Sequence, residues 1–268
     1  MPEGDTIHKI ATFLAPRLTA QTLVDVRMAD AAAAKRCSGR RVDGVRARGK
    51  HLFIELDNDT ALRSHLGMHG SWHRYAKGET WRKPRARASL VLETEDDDYV
   101  CFNAREIELV NLPSVRDKIV RSRLGPDLIA DSVDFDYVAR RARDILDEDA
   151  LIVDALLDQR IASGIGNVYK SEVLFIERLA PTLRASRVTD GSIAGCFRTA
   201  ASLLRQNLGG GRRVTRFDDD GAGRLWVYGR AGLPCLECDA PVATARMGRH
   251  HRDTYWCPHC QRADASPK

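Results

Sequence analysis

No apolar run in the sequence approaches the length of a membrane span. The longest, such as Val173–Ile176, cover a few residues, where a transmembrane helix needs about twenty. The N-terminus lacks the apolar region of a secretion signal. Both absences predict an intracellular, cytoplasmic protein with no membrane partner. No internal repeat is found, which excludes repeat architectures. Cysteine is sparse outside one segment: Cys37, Cys101 and Cys196 are scattered, as reduced core or surface thiols would be.

What is present suits a globular protein. A chain of 268 residues with 43% hydrophobic residues can form two domains, or one large one, with real cores. The net charge of +5 matters less than its distribution. Arg212, Arg213, Arg216, Arg224, Arg230, Arg246, Arg249 and Arg252 outnumber the acids of the same stretch, Asp218, Asp219, Asp220, Glu237 and Asp239. A second basic run covers Arg82-Lys83-Pro84-Arg85-Ala86-Arg87. Such clusters suit either a phosphate backbone or a solvated surface.

The chain starts Met1-Pro2-Glu3-Gly4-Asp5. Methionine before proline is normally excised, which would leave Pro2 with a free secondary amine. An α-amine has a pKa of about 7.7–8.0, against about 10.4 for lysine, so far more of it is nucleophilic at neutral pH. Added to an aldehydic carbon it gives an iminium ion, an electron sink for breaking a neighbouring C–H bond. Glu3 would move protons beside it. The same residues also read as an ordinary helix start, with Pro2 at the first helical position and Ile7, Ile10, Ala11, Leu14 and Leu18 on an apolar face.

From about Leu23 to Val110 the pattern predicts short strands such as Leu52–Leu56 and Leu90–Leu92, with hairpin turns at Asp57–Asp59 and Glu95–Asp98, as in a sandwich or barrel. From Asp131 to Leu208 it predicts helices: Asp134–Ala142, Asp147–Gln159 capped by Asp147, Asn167–Arg178, and Asp190–Leu208 with Ile193, Phe197, Ala200, Leu204 and Leu208 near one face. Gly209-Gly210-Gly211 opens a polar loop, and the tail after Arg262 reads as frayed.

Two patterns carry chemistry. Cys235-x-x-Cys238 and Cys257-x-x-Cys260 have the spacing of a four-thiolate zinc site. Four cysteines close the tetrahedron, so one structural Zn2+ is expected, with no open position for a catalytic water. The segment between the pairs carries Arg246, Arg249 and Arg252, a plausible phosphate probe at a hairpin tip. Gly164-Ile165-Gly166-Asn167 places two glycines before a helix N-terminus, a geometry that binds anions or simply joins two helices.

Taken in order, Pro2-Glu3-Gly4-Asp5, Arg48-Gly49-Lys50-His51-Leu52, His65-Leu66-Gly67-Met68-x-Gly70, Leu157-Asp158-Gln159 with Gly164–Tyr169, Val227-Tyr228-Gly229-Arg230 and Tyr255-Trp256-Cys257-Pro258-x-Cys260-Gln261 span nearly the whole chain. This series resembles the formamidopyrimidine-DNA glycosylase and endonuclease VIII family, most like an endonuclease VIII. The resemblance implies an α+β multidomain fold: an N-terminal β-sandwich catalytic domain over 1–125, a helical helix–two-turn–helix domain over 126–224 and a C-terminal zinc finger over 225–268. It implies a monomer that binds damaged duplex DNA, with an oxidised base or an abasic site, in a cleft between the lobes; in a bacterium it would lie with the nucleoid. Base removal and strand cleavage by β,δ-elimination would follow. It maps the nucleophile onto Pro2, the catalytic glutamate onto Glu3 and the hairpin lysine onto Lys50. It maps DNA contacts onto His65, Asn167 and Arg252, and the residue that fills the vacated stack onto Met68.

Departures bear on the choice of base. The family's purine-lesion branch carries Arg-Arg-Phe-Gly on its wedge loop; here the stretch is Asn103-Ala104-Arg105-Glu106-Ile107-Glu108, with Arg105 left as the DNA-facing candidate. His65-Leu66-Gly67-Met68 is similar to the purine branch instead. The loop Gly209–Arg224 is shorter than that branch's lesion-capping loop. Oxidised pyrimidines are the expected substrates. A purine-lesion glycosylase and a non-catalytic zinc-ribbon DNA-binding protein remain the alternatives.

Overall fold

A computed structural model describes residues 1–112 and 124–261. The chain divides into two compact units, Met1–Ser122 and Arg123–Lys268. The tail after Arg262, read as frayed, lies outside the described residues.

The first unit opens with helix α1 (Gly4–Leu18), which buries Ile7, Ala11, Leu14 and Leu18 at helical spacing. Glu3 is its N-cap, with extended backbone at φ −127° and ψ −173°. Pro2 therefore precedes the helix and does not occupy its first position. Strand β1 (Asp25–Met28) leads into helix α2 (Ala31–Cys37), where strands were expected throughout. Its alanine run favours helix, and Asp30 caps it by accepting from the Ala33 amide at 2.9 Å.

Seven strands follow: β2 (Val42–Arg48), β3 (His51–Leu56), β4 (Thr60–His65), β5 (Ser71–Ala76), β6 (Ala88–Glu93), β7 (Asp97–Phe102) and β8 (Glu106–Asn111). The turn at Asp57–Asp59 is as expected, while the second is shorter because β7 already begins at Asp97. The antiparallel strands form two sheets, ordered β1-β6-β7-β5 and β2-β3-β4-β8. Leu52, Ile54 and Leu62 of one sheet share a core with Leu90, Leu92, Tyr99 and Cys101 of the other, so the unit is the expected β-sandwich. On the outer side of β7, Val100 and Phe102 pack with Tyr75 and Val91 under Trp81.

The second unit is helical: α3 (Phe135–Ile145), α4 (Ile152–Leu157), α5 (Asn167–Ile176) and α6 (Asp190–Gln206). Asp134 caps α3 by accepting from the Tyr137 amide at 2.8 Å. The expected helix Asp147–Gln159 shrinks to α4. Leu151 is extended and bridges to Arg184, and the Ile152 amide donates to the Leu183 carbonyl at 2.9 Å, so long-range pairing displaces the first turns. Leu208, expected on the apolar face, lies past the end of α6 and is exposed, whereas Ile193, Phe197, Ala200 and Leu204 enter the core. Strands β9 (Ala243–Met247) and β10 (Arg252–Trp256) form a hairpin between the cysteine pairs. Among the described residues no helix is long and apolar enough to cross a membrane.

Candidate functional site

In the first unit, sheet register gathers the expected residues at one end. Arg48 pairs with His51, His51 with His65, and His65 with Glu106, a row across β2, β3, β4 and β8. Lys50 sits in the two-residue turn of the β2–β3 hairpin, where Gly49 takes φ +54° as the first turn position requires. The Arg105 amide donates to the His65 carbonyl at 2.9 Å, which holds the β7–β8 turn against the same end. Met68 projects from the β4–β5 loop with 52% of its surface exposed. That loop is closed by the Gly70 amide on the Leu66 carbonyl at 3.0 Å, and Gly67, at φ +62°, leaves only 3.0 Å between a would-be Cβ and Arg105. Ile107, by contrast, pairs with Ser64 and packs on the sandwich core.

Helix α1 packs against β2 and β3. Pro2, just before it, is half-buried, and Glu3 is fully buried. The Glu3 amide donates to the Thr6 hydroxyl at 3.4 Å, part of the first-turn capping.

Both histidines of the row have their pKa values lowered. Arg63 Nη1 donates to His51 Nδ1 at 3.0 Å; a guanidinium has no acceptor, so His51 carries its proton on Nε2. Burial, then Arg63, the neighbouring His65 ring and Lys50, hold the His51 pKa down to about 3. Burial also lowers that of His65, with Glu106 opposing and Lys50, Arg105 and Arg63 adding to the fall. Arg63 is itself braced by Glu106 at 3.0 Å and Glu108 at 2.9 Å. His51 and Arg63 were not read as site residues; their role follows from cross-strand register, which spacing alone does not reveal.

In the second unit, Asn167 is the first residue of α5, after the Gly166 N-cap, and is 7% exposed. Its Nδ2 donates at 2.8 Å to the carbonyl of Asp253, the neighbour of Arg252 on β10. The start of α5 is thus held against the residue that follows Arg252. Of the other hairpin arginines, Arg249 pairs with Asp147 and its amide donates to Asp154 Oδ1 at 2.7 Å, while Arg246 lies 3.4 Å from Asp253 and stays largely exposed.

Glu172, fully buried on α5, was also missed. Its carboxylate accepts from the amides of Trp226, Val227 and Tyr228 at 2.7, 2.9 and 2.7 Å and from the Thr215 hydroxyl. Burial pushes its pKa up, against the pull of these four donors. The Val227-Tyr228-Gly229-Arg230 motif is thereby tied to the helix by its backbone. A charged pair, Lys170 and Glu172, inside an otherwise uncharged helix was the available signal.

The four cysteines Cys235, Cys238, Cys257 and Cys260 place their sulfurs within 4.8 Å of one another. Cys238 lies 3.4 Å from both Cys257 and Cys260, and Cys235 lies 3.9 Å from Cys260. Tetrahedral zinc with bonds of about 2.3 Å needs sulfurs about 3.8 Å apart, so the cluster fits a structural Zn2+. Gln261 supports it, accepting from the Cys257 amide and donating to the Leu179 carbonyl, each at 2.9 Å.

Three family models match the chain. The formamidopyrimidine-DNA glycosylase N-terminal domain covers residues 1–107, the H2TH domain of the same glycosylase covers 124–218, and a zinc finger found in FPG and IleRS covers 232–263. The chain belongs to the formamidopyrimidine-DNA glycosylase family. Family membership accounts for the sandwich, the helical region and the thiolate cluster together. The DNA-(apurinic or apyrimidinic site) lyase Nei2 of Mycolicibacterium smegmatis is 38% identical over 98% of this chain and all of that protein. Endonuclease 8 2 of Mycobacterium bovis is 37% identical over 98% of this chain and all of its own length. A formamidopyrimidine-DNA glycosylase of Gloeobacter violaceus is 30% identical over 84% of this chain and 81% of its own. Among solved structures, Lactococcus lactis formamidopyrimidine-DNA glycosylase bound to DNA containing an abasic site has the same fold, with a TM-score of 0.81 and 22% identity over 97% of this chain and all of that one.

Proposed function

We propose that this protein is a bifunctional base-excision enzyme, a DNA glycosylase and abasic-site lyase that acts on oxidised pyrimidines. The observation that carries the reading is the chain start: Pro2 stands free of α1, with the buried Glu3 as its neighbour, in a family of abasic-site lyases. Once Met1 is removed, the Pro2 amine attacks C1′ of the damaged nucleotide and the N-glycosidic bond breaks. Glu3 protonates the ring oxygen as the sugar opens, leaving an iminium between Pro2 and C1′. Loss of the 2′ proton drives β-elimination of the 3′ phosphate, and δ-elimination releases the 5′ phosphate.

The base leaves the stack before attack, and Met68 fills the gap. Lys50, His65, Asn167 and Arg252 bind phosphates, and Arg105 meets the DNA from the β7–β8 turn. The catalytic segment is 1–125, the helical DNA-binding segment 126–224 and the zinc finger 225–268. The enzyme works as a monomer, with the nucleoid. The pyrimidine preference is supported by the absent Arg-Arg-Phe-Gly segment and by relatives named as endonuclease 8.

Borohydride trapping of the demethionylated protein on an abasic-site duplex tests the chemistry. A covalent adduct is expected; DNA binding without an adduct would leave a zinc-ribbon binding protein instead. Single-turnover excision from thymine glycol and 8-oxoguanine duplexes tests the preference, with the first expected to be faster.

A further inference from the structure

We propose that Lys170 is a positioning residue for DNA binding, one that sets the orientation of the Asn167 side-chain amide and locks it to strand β10. The inference rests on the reading of Asn167 and Arg252 as phosphate contacts.

Lys170 follows Asn167 by three residues on α5, so the two share a face. It is fully buried. Its ammonium donates to Asn167 Oδ1 at 2.7 Å, to Thr254 Oγ1 at 2.8 Å and to the Asp253 carbonyl at 3.2 Å. An ammonium has donors and no acceptor, so the atom of Asn167 that faces it must be the oxygen. The amide nitrogen is then turned away. One of its hydrogens goes to the Asp253 carbonyl at 2.8 Å, and the other is left for a ligand. Without the ammonium, the orientation rests on the Asp253 carbonyl alone and Oδ1 loses its donor, so the amide more readily turns and presents an oxygen to a phosphate, which repels it.

The same contacts fix spacing. The Asp253 carbonyl accepts from both Asn167 and Lys170, which pins the backbone next to Arg252 to the start of α5. Two phosphate contacts from elements far apart in sequence are thereby set at one separation.

The location argues against a purely structural part. A cation in the first turn of a helix is opposed by the helix dipole, and a buried charge carries a desolvation cost. An apolar side chain would serve packing better.

The test is a double-mutant cycle on a duplex carrying a reduced abasic-site analogue. Asn167→Ala and Lys170→Met are each expected to weaken binding about tenfold. Because Lys170 acts through Asn167, the double variant should bind within about twofold of Asn167→Ala alone. Unchanged affinity in Lys170→Met overturns the proposal, as does an equal loss in both backgrounds, which marks a general structural effect. If Asn167→Ala binds like the wild type, the phosphate role of Asn167 itself fails. Zinc content and melting temperature are read in every variant. Should Lys170→Met lose zinc or fail to fold, Thr254→Val replaces it in the cycle. Removal of that acceptor should weaken binding several-fold, but only where Asn167 is present; no loss overturns the proposal.

Discussion

The two units hold their candidate DNA contacts by opposite means. In the sandwich, Lys50, Met68 and Arg105 ride on turns, and their place is set by backbone register across β2, β3, β4 and β8. In the helical unit, Asn167 is nearly buried and hangs in a web of side chains reaching from α5 to β10. A register-held residue takes its place from the backbone, which a change of side chain leaves in position. A network-held residue transmits any change to the groups it touches.

The sharpest break in this comparison is at the chain start, which belongs to neither scheme. Material that retains Met1 should lose borohydride trapping by at least about a thousandfold, since an amide nitrogen is not a nucleophile, while its DNA affinity is kept. Trapping at normal yield with Met1 in place would remove Pro2 from the mechanism. Zinc removal comes next. Structural zinc sites contribute on the order of 10 kcal/mol to folding, so chelation should abolish amide protection in β9 and β10 and leave β3 and β4 protected. A hairpin that stays protected without metal would show that its packing on α5 suffices.

Arg252→Ala should weaken DNA binding about tenfold and lower the salt slope by about 0.9, with zinc retained. Lys50→Ala should change the salt slope by the same amount and leave the melting temperature within about a degree, as a turn residue allows. A large stability loss in Lys50→Ala would erase the proposed contrast.

The smallest effect concerns His51. In the folded protein its pKa is near 3, against 6.5 for an ordinary histidine, so below pH 6.5 the unfolded chain binds a proton that the folded one refuses. Stability is therefore lost as pH falls from 6.5 toward 3, by at most about 1.4 kcal/mol per pH unit from this group. Denaturation of His51→Asn over that range should show a shallower decline than the wild type; parallel curves would mean that His51 is protonated in the fold.

Local patterns were legible in the sequence. The α1 periodicity, a helix starting at Asp134, the glycine break before Asn167 and the paired cysteines each lie within a few residues, and each stands close to where it was expected. What escaped depends on partners far along the chain. The helix expected from Asp147 gives way because Leu151 meets Arg184. Glu172 answers amides more than fifty residues away, and Arg63 earns its place only through the alignment of β3, β4 and β8. Helix α2 is different: its alanine run and Asp cap were visible and were read as part of a strand region.

The three scattered cysteines carry a practical consequence. Cys37, Cys101 and Cys196 are fully buried, and burial raises their thiol pKa values, that of Cys37 to about 11. Alkylating or oxidising agents thus meet little thiolate at these positions while the fold is intact. The sulfur within their reach is that of the metal cluster, where Cys238 and Cys260 are partly exposed. An enzyme that mends oxidised DNA would then register oxidant first at its zinc, losing its grip on the duplex before its cores are touched.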